Sequence, residues 1–550
     1  RSLGWVLRHR AITVAAILAV FVASLGLMRK LPTEFFPATD EAQFSINYRT
    51  PIGTRVEKTE QVAIRVEEAV KRALTLPGKD GDKVLYNMVF SSAGLPAGRG
   101  GLFSGNTGPH SGSVSVNLVP GSERPVTDIE ASELVRKELR DSFPGVQFFF
   151  FTGGIVKRIL NFGSAAPIDV EILGYDLKDG AELAGKISEQ LKALTGEDGK
   201  PLLTDVQVSR EEAYPQLDVD VDRQKAGVLG LTEQQIAQSV LASLVGSAQF
   251  SPSPYTDPKT GNEYNINVRL ADRWRSSLEH LGDIGLRSPS GAIVSLDTVA
   301  KVERSSGPVQ VTRKYMQRLI DVTANVAPGK DLGTATTAVQ KVVDDTPMPE
   351  GFTVGLSGQS AAQKQAFSGL GLAAIMALVL VYMVLASQFR SLLDPLVIMF
   401  SVPLGVTGVF TMLFVTGTSL NVNSFMGIIM MVGIVVSNGV LLVDFANQLR
   451  GRGLPMMQAT IEAGRTRLRP ILMTSIATLV GLAPMALGIG EGSETNLPLA
   501  RAVIGGLAVS TFFTLFLVPA LYSTLERFSR RKDFHGEGAP GAAVAEAPDA

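Results

Sequence analysis

The chain has 550 residues, enough for three or four domains at roughly 150 residues each. Its 51 Lys and Arg nearly balance its 52 Asp and Glu, so the composition provides no basic surface of the kind that nucleic-acid binding requires. Charged residues are only 19% of the chain, below the roughly 25% of soluble proteins, and the mean hydropathy is +0.21. We therefore expect part of the chain to lie in lipid. Cys is absent and there are only four His, which excludes disulfides and thiolate metal sites and disfavours a His-based metal centre.

Six stretches without Asp, Glu, Lys or Arg are long enough to cross a bilayer, for which about 20 apolar residues are needed. The predicted spans are Ala11–Met28, Leu370–Ser387, Pro395–Val415, Phe425–Val443, Ile471–Gly490 and Ala502–Leu525. The first is short enough to be confused with a signal peptide. It is followed by Arg29, Lys30 and Pro32 rather than by a small-residue cleavage site, so we interpret it as an anchor.

Basic residues in the short loops predict the orientation of these spans. The loops assigned to one side contain thirteen of them: Arg1, Arg8, Arg10, Arg390, Arg450, Arg452, Arg465, Arg467, Arg469, Arg527, Arg530, Arg531 and Lys532. The other side has only Arg29, Lys30 and Arg501 near its span ends. By the positive-inside rule both termini are cytoplasmic, and the long polar segment 31–366 faces outward.

Period-2 and period-3.6 hydrophobic patterns alternate along this outward segment. The first run of elements has the order β-α-β-β-α-β, which is ferredoxin-like, and the order begins again at Ile168–Leu173. Three helices of the segment are predicted to begin at capping boxes, namely Thr54 with Glu57, Thr127 with Glu130, and Thr232 with Gln235. We expect several small α/β sandwiches, each a sheet covered by helices on one face.

Two features of the outward segment are candidates for ligand binding. The Gly-rich run from Gly94 to Gly112 has no P-loop order and is either a long hairpin connection or a gating loop. The residues Phe148 to Phe151 are four consecutive aromatics, and on a strand they must point to both faces of the sheet. Two of them therefore either pack under a second layer or line an apolar cleft.

Polar residues inside the predicted spans are the other candidates. Ser437 and Asn438 fall in mid-span, where they are expected to bond across helices, whereas Asp444 lies near the cytoplasmic end and is expected to be solvated. The acidic run Asp218, Asp220 and Asp222 lacks the Gly and Glu of a calcium loop, and the Met residues do not converge on a soft-metal path. No nucleophile, base and orienting group emerge together, so we predict no enzyme, no cofactor and no metal site.

Several motifs resemble those of a known transporter family. They are Leu385-Ala-Ser-Gln-Phe-Arg-Ser391, Val402-Pro-Leu-Gly405, Asp220-Val-Asp222 followed by Lys225-Ala and Leu229-Gly230, and Arg467-Leu-Arg-Pro-Ile-Leu-Met-Thr-Ser475. With these, the chain up to about residue 530 resembles the C-terminal half of a resistance-nodulation-division (RND) efflux pump of the acriflavine-resistance type. Members of that family are about twice as long. Because the chain begins with Arg1 rather than Met, we expect it to be one half of such a pump.

The resemblance implies a fold, a domain division and partners. The fold would be a six-helix membrane bundle with periplasmic α+β, ferredoxin-like subdomains, in the bacterial inner membrane. It divides into a first transmembrane helix (1–30), a porter subdomain (31–166), a second porter subdomain (167–208 and 327–366), a docking subdomain (209–326), a five-helix bundle (367–528) and a disordered cytoplasmic tail (529–550). The implied partners are two further copies in a homotrimer, the N-terminal half of the pump, a periplasmic adaptor, an outer-membrane channel, lipid and a hydrophobic small molecule.

The resemblance also implies roles for individual residues. Arg467, Thr474, Asn438 and Ser437 would form or flank the proton relay, with Ser437 standing where the family has a Lys and the relay Asp pair lying outside this chain. The substrate pocket would involve Phe90, Phe149, Phe151, Leu95 and Phe103. Leu95 and Pro96 stand where drug pumps often have Phe.

The sequence therefore predicts a proton-driven exporter of hydrophobic or amphiphilic compounds. A metal-cation exporter of the same family is the close alternative. A membrane-anchored periplasmic binding or assembly module is the alternative from another class, although such a module would not need five clustered spans.

Overall fold

A computed structural model of the chain describes residues 2–37, 39–77, 82–94, 107–153, 164, 166–249, 251–275, 277–490 and 492–525. The helices of six or more residues in these ranges are, in chain order, α1 (Ser2–Arg8), α2 (Arg10–Met28), α3 (Val56–Ala73), α4 (Asp128–Ser142), α5 (Leu177–Lys192), α6 (Arg223–Val228), α7 (Glu233–Leu244), α8 (Leu332–Asp345), α9 (Gly358–Phe389), α10 (Leu393–Met399), α11 (Ser401–Val415), α12 (Val422–Gly451), α13 (Met456–Ala486) and α14 (Leu497–Leu525).

The strands of three or more residues in the same ranges are β1 (Gln43–Arg49), β2 (Tyr86–Ala93), β3 (Ser111–Leu118), β4 (Gln147–Thr152), β5 (Ile168–Gly174), β6 (Leu203–Val208), β7 (Tyr214–Val221), β8 (Ser253–Thr256), β9 (Glu263–Ile266), β10 (Gly285–Arg287), β11 (Ile293–Ser295), β12 (Ala300–Gly307), β13 (Thr312–Lys314), β14 (Gln317–Val326) and β15 (Thr353–Ser357). A two-residue ladder joins Thr75–Leu76 to Lys83–Val84.

Six helical stretches of the described chain are long and apolar enough to cross a membrane: α2, α9, α10 with α11, α12, α13 and α14. Each overlaps one of the predicted spans. Most are longer than predicted, because residues such as Lys364 and Arg467 lie within continuous helix rather than in loops. Large apolar side chains on α2, α9 and α13 are exposed, Met473 by 71% and Val384 by 67%, which a protein surrounded by water would avoid.

The first sandwich consists of β1 to β4 with α3 and α4. The sheet is antiparallel in the order β2-β3-β1-β4, and Ile46 of β1 lies opposite both Val114 and Phe150. Alternate residues of the strands pack against Val66 of α3 and Val135 of α4 in one buried core. Since side chains alternate along a strand, the residues between them point to the face without helices.

The second sandwich repeats the element order β-α-β-β-α-β with β5, α5, β6, β14, α8 and β15. Its antiparallel strands lie in the order β6-β14-β5-β15, and β13 pairs with the same edge of β14 as β6. Ile168, Val170 and Ile172 of β5 face α5 and α8 and are almost completely buried. The segment between β6 and β13 is an insertion into this sandwich.

One predicted boundary differs from the structure. The docking segment was expected to extend to residue 326, but β14 pairs with β5 of the second sheet, with Asp321 opposite Glu171. The insertion therefore ends near residue 311. The sequence identifies β14 as a strand by its alternation, but alternation does not identify the neighbouring strand.

The insertion has its own small core. Strand β7 pairs with β12 and β10 pairs with β11, and Leu231, Ile236 and Leu286 are buried between these strands and the helices α6 and α7. The alternating Asp218 and Asp220 of β7 are exposed, as expected for one solvated face of a strand.

Two of the three predicted capping boxes form. Thr127 accepts from Glu130 N at the start of α4, and Thr232 accepts from Gln235 N at the start of α7. The box at Thr54 does not form, because α3 begins at Val56 and the Thr54 hydroxyl instead donates to the carbonyl of Pro51. Pro51 and Gly53 close a turn there that uses the Thr54 side chain before the helix begins.

The helical bundle is centred on α11, α12 and α14. Gly408 of α11 and Gly505 of α14 let these two helices approach so closely that a Cβ on Gly408 would lie 2.2 Å from the Gly505 carbonyl oxygen. Small residues at such crossings allow helices to pack in lipid, where apolar surface gives no preference for protein over hydrocarbon. The crossing therefore depends on the absence of side chains.

A polar network joins the two sandwiches. Arg136 of α4 forms an ion pair with Asp205 of β6, which also accepts from the backbone N–H of Phe150 at 3.1 Å and from Asn325 at 3.0 Å. Asn325 also donates to the Phe150 carbonyl oxygen at 2.6 Å. Asp205 has a left-handed φ of 53°, which is uncommon for a residue with a side chain and is maintained here by this network.

The α11–α14 crossing yields a stability prediction. Substituting Gly408→Ala should lower the melting temperature of the detergent-purified chain and cost about 1–3 kcal/mol, because the new methyl group collides with backbone rather than with a side chain that can move. Gly481→Ala on α13 is the matched control, since no atom lies within 4 Å of its Cβ position. Equal melting temperatures for the two variants would contradict the close-approach interpretation.

Candidate functional site

Three polar side chains from three helices meet inside the membrane bundle. Asn438 of α12 contacts Ser475 of α13, with 3.4 Å between Nδ2 and Oγ, and the Ser475 oxygen lies 3.0 Å from the hydroxyl of Thr511 on α14. All three residues are buried, with exposures of 6%, 3% and 5%. The sequence predicted cross-helix bonds for both Ser437 and Asn438. The structure has one for Asn438, whose partner Ser475 was not identified, and leaves Ser437 exposed. Ser475 is the last residue of the motif that begins at Arg467, and this position was the feature of the sequence that could have identified it.

Arg467 reaches from α13 toward α12. Its guanidinium carbon lies 4.6 Å from the centre of the Phe445 ring, a cation–π distance, and its Nε has no hydrogen-bond partner among the described residues. A half-buried guanidinium usually pairs with a carboxylate or an acceptor. The Nε–H of Arg467 is therefore available to donate a further hydrogen bond at the edge of the bundle.

The remaining predicted relay residues lie on the uncovered side of the bundle. Ser437 of α12 and Thr474 of α13 are exposed, and the Thr474 hydroxyl donates to the carbonyl oxygens of Pro470 and Ile471 within its own helix. Asp444, about two turns from Ser437 on α12, is also exposed and accepts from Gln448 at 2.8 Å. The structure thus brings Asn438 to neighbouring helices and leaves Ser437 and Thr474 facing outward.

The predicted substrate residues on strands share one face of the first sheet. Phe90 lies opposite Ser115, Ser115 opposite Ser45, and Ser45 opposite Phe151, so the four side chains form a row on the face without helices. Phe149 lies on the same face, two residues from Phe151. At about 4.8 Å per strand, Phe90 and Phe151 are on the order of 14 Å apart across the row.

These aromatics differ in exposure. Phe90 is 62% exposed, whereas Phe149 and Phe151 are 2% and 6% exposed. Phe151 and Phe150 border a cavity of about 440 Å³ that also contacts Arg136 and Asn325 of the network between the sandwiches. A cavity of this volume is within the range of small-molecule sites. Two further predicted substrate residues, Leu95 and Phe103, lie outside the described residues.

The Gly-rich loop is attached at its C-terminal end. The carboxylate of Glu211, at the start of the insertion, accepts from Thr107 at 3.1 Å and pairs with Arg49 of β1 at 3.2 Å. The buried His110 ring lies with Nε2 2.6 Å from the same carboxylate, but out of line for a hydrogen bond, and packs beside Tyr214. This contact connects the base of the loop to the point where the insertion leaves the second sandwich.

A carboxylate cluster lies on the face of the second sheet without helices. Asp169 and Glu171 of β5 and Asp321 of β14 each place a carboxylate oxygen within 4.8 Å of the other two. Burial, with a smaller contribution from neighbouring carboxylates, raises the pKa of Asp321 to about 7 and that of Asp169 to about 6, although Lys314 lowers both and a hydrogen bond from Ser164 lowers that of Asp169. The sequence analysis missed this cluster. The sequence feature that could have pointed to the cluster is the alternation of Asp169 and Glu171 with Ile168, Val170 and Ile172. Asp321 joins them only through the pairing of β14 with β5.

The buried polar contact in the bundle yields a matched pair of substitutions. Ser475→Ala should lower the stability of the chain by about 0.5–2 kcal/mol, because it leaves Asn438 without its partner on α13 and Thr511 without its own. Ser437→Ala removes the same hydroxyl from an exposed position and should leave the stability unchanged. Thermal unfolding of both variants in one detergent measures the difference, and a larger loss for Ser437→Ala would refute the contact.

Comparison with known proteins gives the same overall arrangement. The swarming motility protein SwrC of Bacillus subtilis is 29% identical over 541 residues, covering 97% of this chain and 47% of SwrC. The cobalt-zinc-cadmium resistance protein CzcA of Cupriavidus metallidurans is 27% identical and covers 96% of this chain and 48% of CzcA. The multidrug resistance protein MdtC of Escherichia coli O81 is 26% identical, with 96% and 49% covered.

Structural similarity covers the same length. A crystal structure of a heavy metal efflux pump matches with a TM-score of 0.76 at 26% identity, over 96% of this chain and 51% of that chain. The chain thus spans about half the length of the relatives it matches. Residues 1–526 match the model of the AcrB/AcrD/AcrF family. This range includes both the apolar helices and the α/β segment. The chain therefore belongs to the AcrB/AcrD/AcrF family of RND efflux transporters.

Proposed function

We propose that the chain is the C-terminal half of an inner-membrane RND pump that exports hydrophobic or amphiphilic compounds in exchange for protons. In this proposal the six long apolar helices span the membrane and the α/β segment 31–366 faces the periplasm. The two sandwiches are ferredoxin-like porter subdomains, and the insertion between β6 and β13 is the docking subdomain. The relatives' lengths, about twice that of this chain, support a second half.

The uncovered polar side of α12 and α13 is the observation on which the proposal depends. Ser437, Asp444 and Thr474 are exposed there, on helices apolar enough to lie in hydrocarbon. A polar side chain facing lipid has no partner, so polar residues in spans normally face protein or a water-filled cavity. We infer that another set of helices covers this side and completes a polar site.

The chemistry of the residues sets their roles in such a site. The guanidinium of Arg467 is positively charged, so it would favour the ionised form of a nearby acid. Asn438 and the hydroxyls of Ser437 and Thr474 both donate and accept, so they can pass hydrogen bonds between the acid and water. The acids that bind and release the transported proton would come from the other half.

The substrate side of the proposal rests on the face of the first sheet that has no helices, which is exposed at Phe90 and buried at Phe149 and Phe151. The row from Phe90 to Phe151 combines aromatic ends with a centre of Ser side chains, which suits a molecule with both apolar and polar parts. The exposed Phe90 is available to a ligand as the structure stands. Leu95 and Phe103, which lie outside the described residues, are the further residues that we propose for this pocket.

The proposed assembly follows from the family. Three copies of the complete pump would form a trimer that contacts a periplasmic adaptor and an outer-membrane channel. The tail 529–550, predicted from its composition to be disordered and cytoplasmic, lies outside the described residues. A membrane-anchored module that only binds or assembles other proteins would keep its activity after deletion of residues 369–525, whereas a transporter would lose it.

Export of metal cations is the second candidate. The CzcA relative is named for cobalt, zinc and cadmium resistance, and the similar crystal structure is named as a heavy metal efflux pump. In this chain the carboxylate cluster at Asp169, Glu171 and Asp321 favours the same substrate class. Cells that express the complete pump should become less sensitive to hydrophobic dyes if it exports amphiphiles, and less sensitive to divalent metals if it exports cations. Protection against metals alone would make cation export the function.

A substitution at Arg467 tests the proton-coupling role. In the complete pump Arg467→Ala should abolish dye efflux while trimers still form, because the fixed charge beside the relay acid is lost. Arg469→Ala is the matched control, since Arg469 lies on the same helix but is exposed at its cytoplasmic part. Efflux is followed by dye fluorescence in energised cells, and assembly by size-exclusion chromatography. Undiminished efflux in the Arg467→Ala pump would refute the relay assignment.

A further inference from the structure

A buried histidine faces a carboxylate where three parts of the α/β segment meet. His110 immediately precedes β3 of the first sandwich, and Glu211 lies at the start of the insertion. The His110 side chain is 1% exposed and that of Glu211 is 9% exposed, with 2.6 Å between the ring Nε2 and the carboxylate Oε2. Contacts between a protonated nitrogen and an ionised oxygen are shorter than those between neutral groups, so this distance suits a charged pair.

The surrounding hydrogen bonds connect this pair to both sandwiches. The His110 carbonyl oxygen accepts from the backbone N–H and the hydroxyl of Thr50, directly after β1, at 2.9 and 2.8 Å. Glu211 pairs with Arg49 of β1, whose guanidinium also donates to the Val208 carbonyl oxygen at the end of β6 at 3.2 Å. We call this meeting point of Arg49, Thr50, His110 and Glu211 the histidine joint.

The His110 ring is poorly accommodated as a neutral group. Both ring nitrogens are inaccessible to water and have no hydrogen-bond partner among the described residues. A neutral imidazole has one N–H donor and one acceptor nitrogen, so burying it in this way leaves two polar groups unsatisfied. A protonated ring gains the attraction of the Glu211 carboxylate in exchange for its burial, and that attraction is stronger where water is excluded. Proton binding therefore changes the strength of this contact.

Other charged side chains border the cavity of about 870 Å³ that His110 lines. Besides Arg49 and Glu211 they are Arg136, Arg140, Lys192, Asp205, Arg210 and Glu212. Asp205 pairs with Arg136 and Glu212 with Arg210, which leaves Glu211 to face the ring. Histidine is the only side-chain type in this set whose ordinary titration falls between about pH 5 and 8.

Tyr214 of β7 packs beside the ring, with 5.3 Å between the two ring centres. Burial, and to a smaller extent Glu211, raises the pKa of Tyr214 above its ordinary value of 10.0. Its hydroxyl therefore stays neutral in the range in which histidine titrates.

We propose that the histidine joint is a pH-dependent latch between the first sandwich and the insertion. At acid pH the His110 ring carries a proton, and its charge holds Glu211, and with it the start of the insertion, against β1 and β3. As the pH rises the ring becomes neutral, the charge attraction is lost and the contact weakens. A positive ring is stabilised beside a carboxylate, so proton binding and closure of the joint favour each other.

The latch is separate from the proposed proton relay, because His110 lies in the α/β segment and Arg467 in the helical bundle. Its action does not require transport. It can therefore be tested on the chain alone, and its failure would leave the proposed function untouched.

Distances between spin labels test the latch in the purified full chain. Because the chain has no Cys, two introduced Cys are the only attachment sites, and Lys58→Cys on α3 and Arg304→Cys on β12 place them at exposed positions on the two sides of the joint. Double electron–electron resonance should give a narrow distance distribution at about pH 5.5 and a broader or longer one at about pH 8. In the labelled His110→Gln chain the distribution should be broad or long at both pH values.

Thermal unfolding provides a second measurement with a matched control. His110→Gln should lower the melting temperature by ~1–3 °C more at about pH 5.5 than at about pH 8, because the charged contact exists only at acid pH. His280→Gln is the control, since His280 lies 3.6 Å from Asp283 in the same insertion but its side chain is 36% exposed. Its effect should be the same at both pH values. Glu211→Gln, which keeps the side-chain shape, should remove the pH dependence although His110 is retained.

A purely structural His110 would give the His110→Gln chain the same loss of melting temperature at both pH values, and that result would overturn the proposal. Label distances that stay constant with pH in the chain with native His110 would overturn it too, even where the variants fail to fold.

Discussion

In hydrocarbon there is no water to satisfy a polar side chain, so each polar group of a spanning helix must find a protein partner or face a hydrated space. The helices α12 and α13 meet this constraint in two ways. Asn438 and Ser475 point inward and meet Thr511, so their polar atoms are satisfied within the chain. Ser437 and Thr474 are each one residue away on the same helices, and one residue is a rotation of about 100°, which places them on the uncovered side. The same two helices thus carry one closed polar contact and one open polar surface.

The same distinction between covered and uncovered faces holds outside the bundle. Both sandwiches use one sheet face for packing against two helices, so the apolar residues at alternate positions form the cores. The other alternate positions carry the functional candidates, Phe90 and Phe151 on the first sheet and Asp169 and Asp321 on the second. The network of Arg136, Asp205 and Asn325 fixes how the two sheets lie relative to each other at the edges β4 and β6. A shift of that contact would move both uncovered faces together with the cavity beside Phe151.

Periodicity predicted those parts of the fold that local chemistry decides. The apolar stretches and the alternation in β1, β4 and β5 depend only on burial, and the capping boxes at Thr127 and Thr232 depend only on residues three apart. The box at Thr54 was predicted wrongly because a competing turn uses its hydroxyl. The pairing of β14 with β5 and the contacts of Ser475 with Asn438 and Thr511 join residues far apart in the chain, and no local pattern carries that information. For the same reason the alternation along β5 places Asp169 and Glu171 on one face of a strand, but only the pairing of β5 with β14 brings Asp321 beside them.

The two uncovered sheet faces also bear on the choice between amphiphiles and cations. An aromatic row with Ser side chains between its ends binds through dispersion and apolar burial, which has little preference for charge. The carboxylate cluster would attract cations or protons rather than neutral molecules, because only added positive charge offsets the desolvation of ionised aspartates. The relatives named for metal resistance and for multidrug resistance have similar identity to this chain, 27% and 26%, so overall similarity does not separate the two classes. In the proposed pump the substrate class would follow from which of the two faces the substrate contacts, and the network at Asp205 lies where the edges of these two sheets meet.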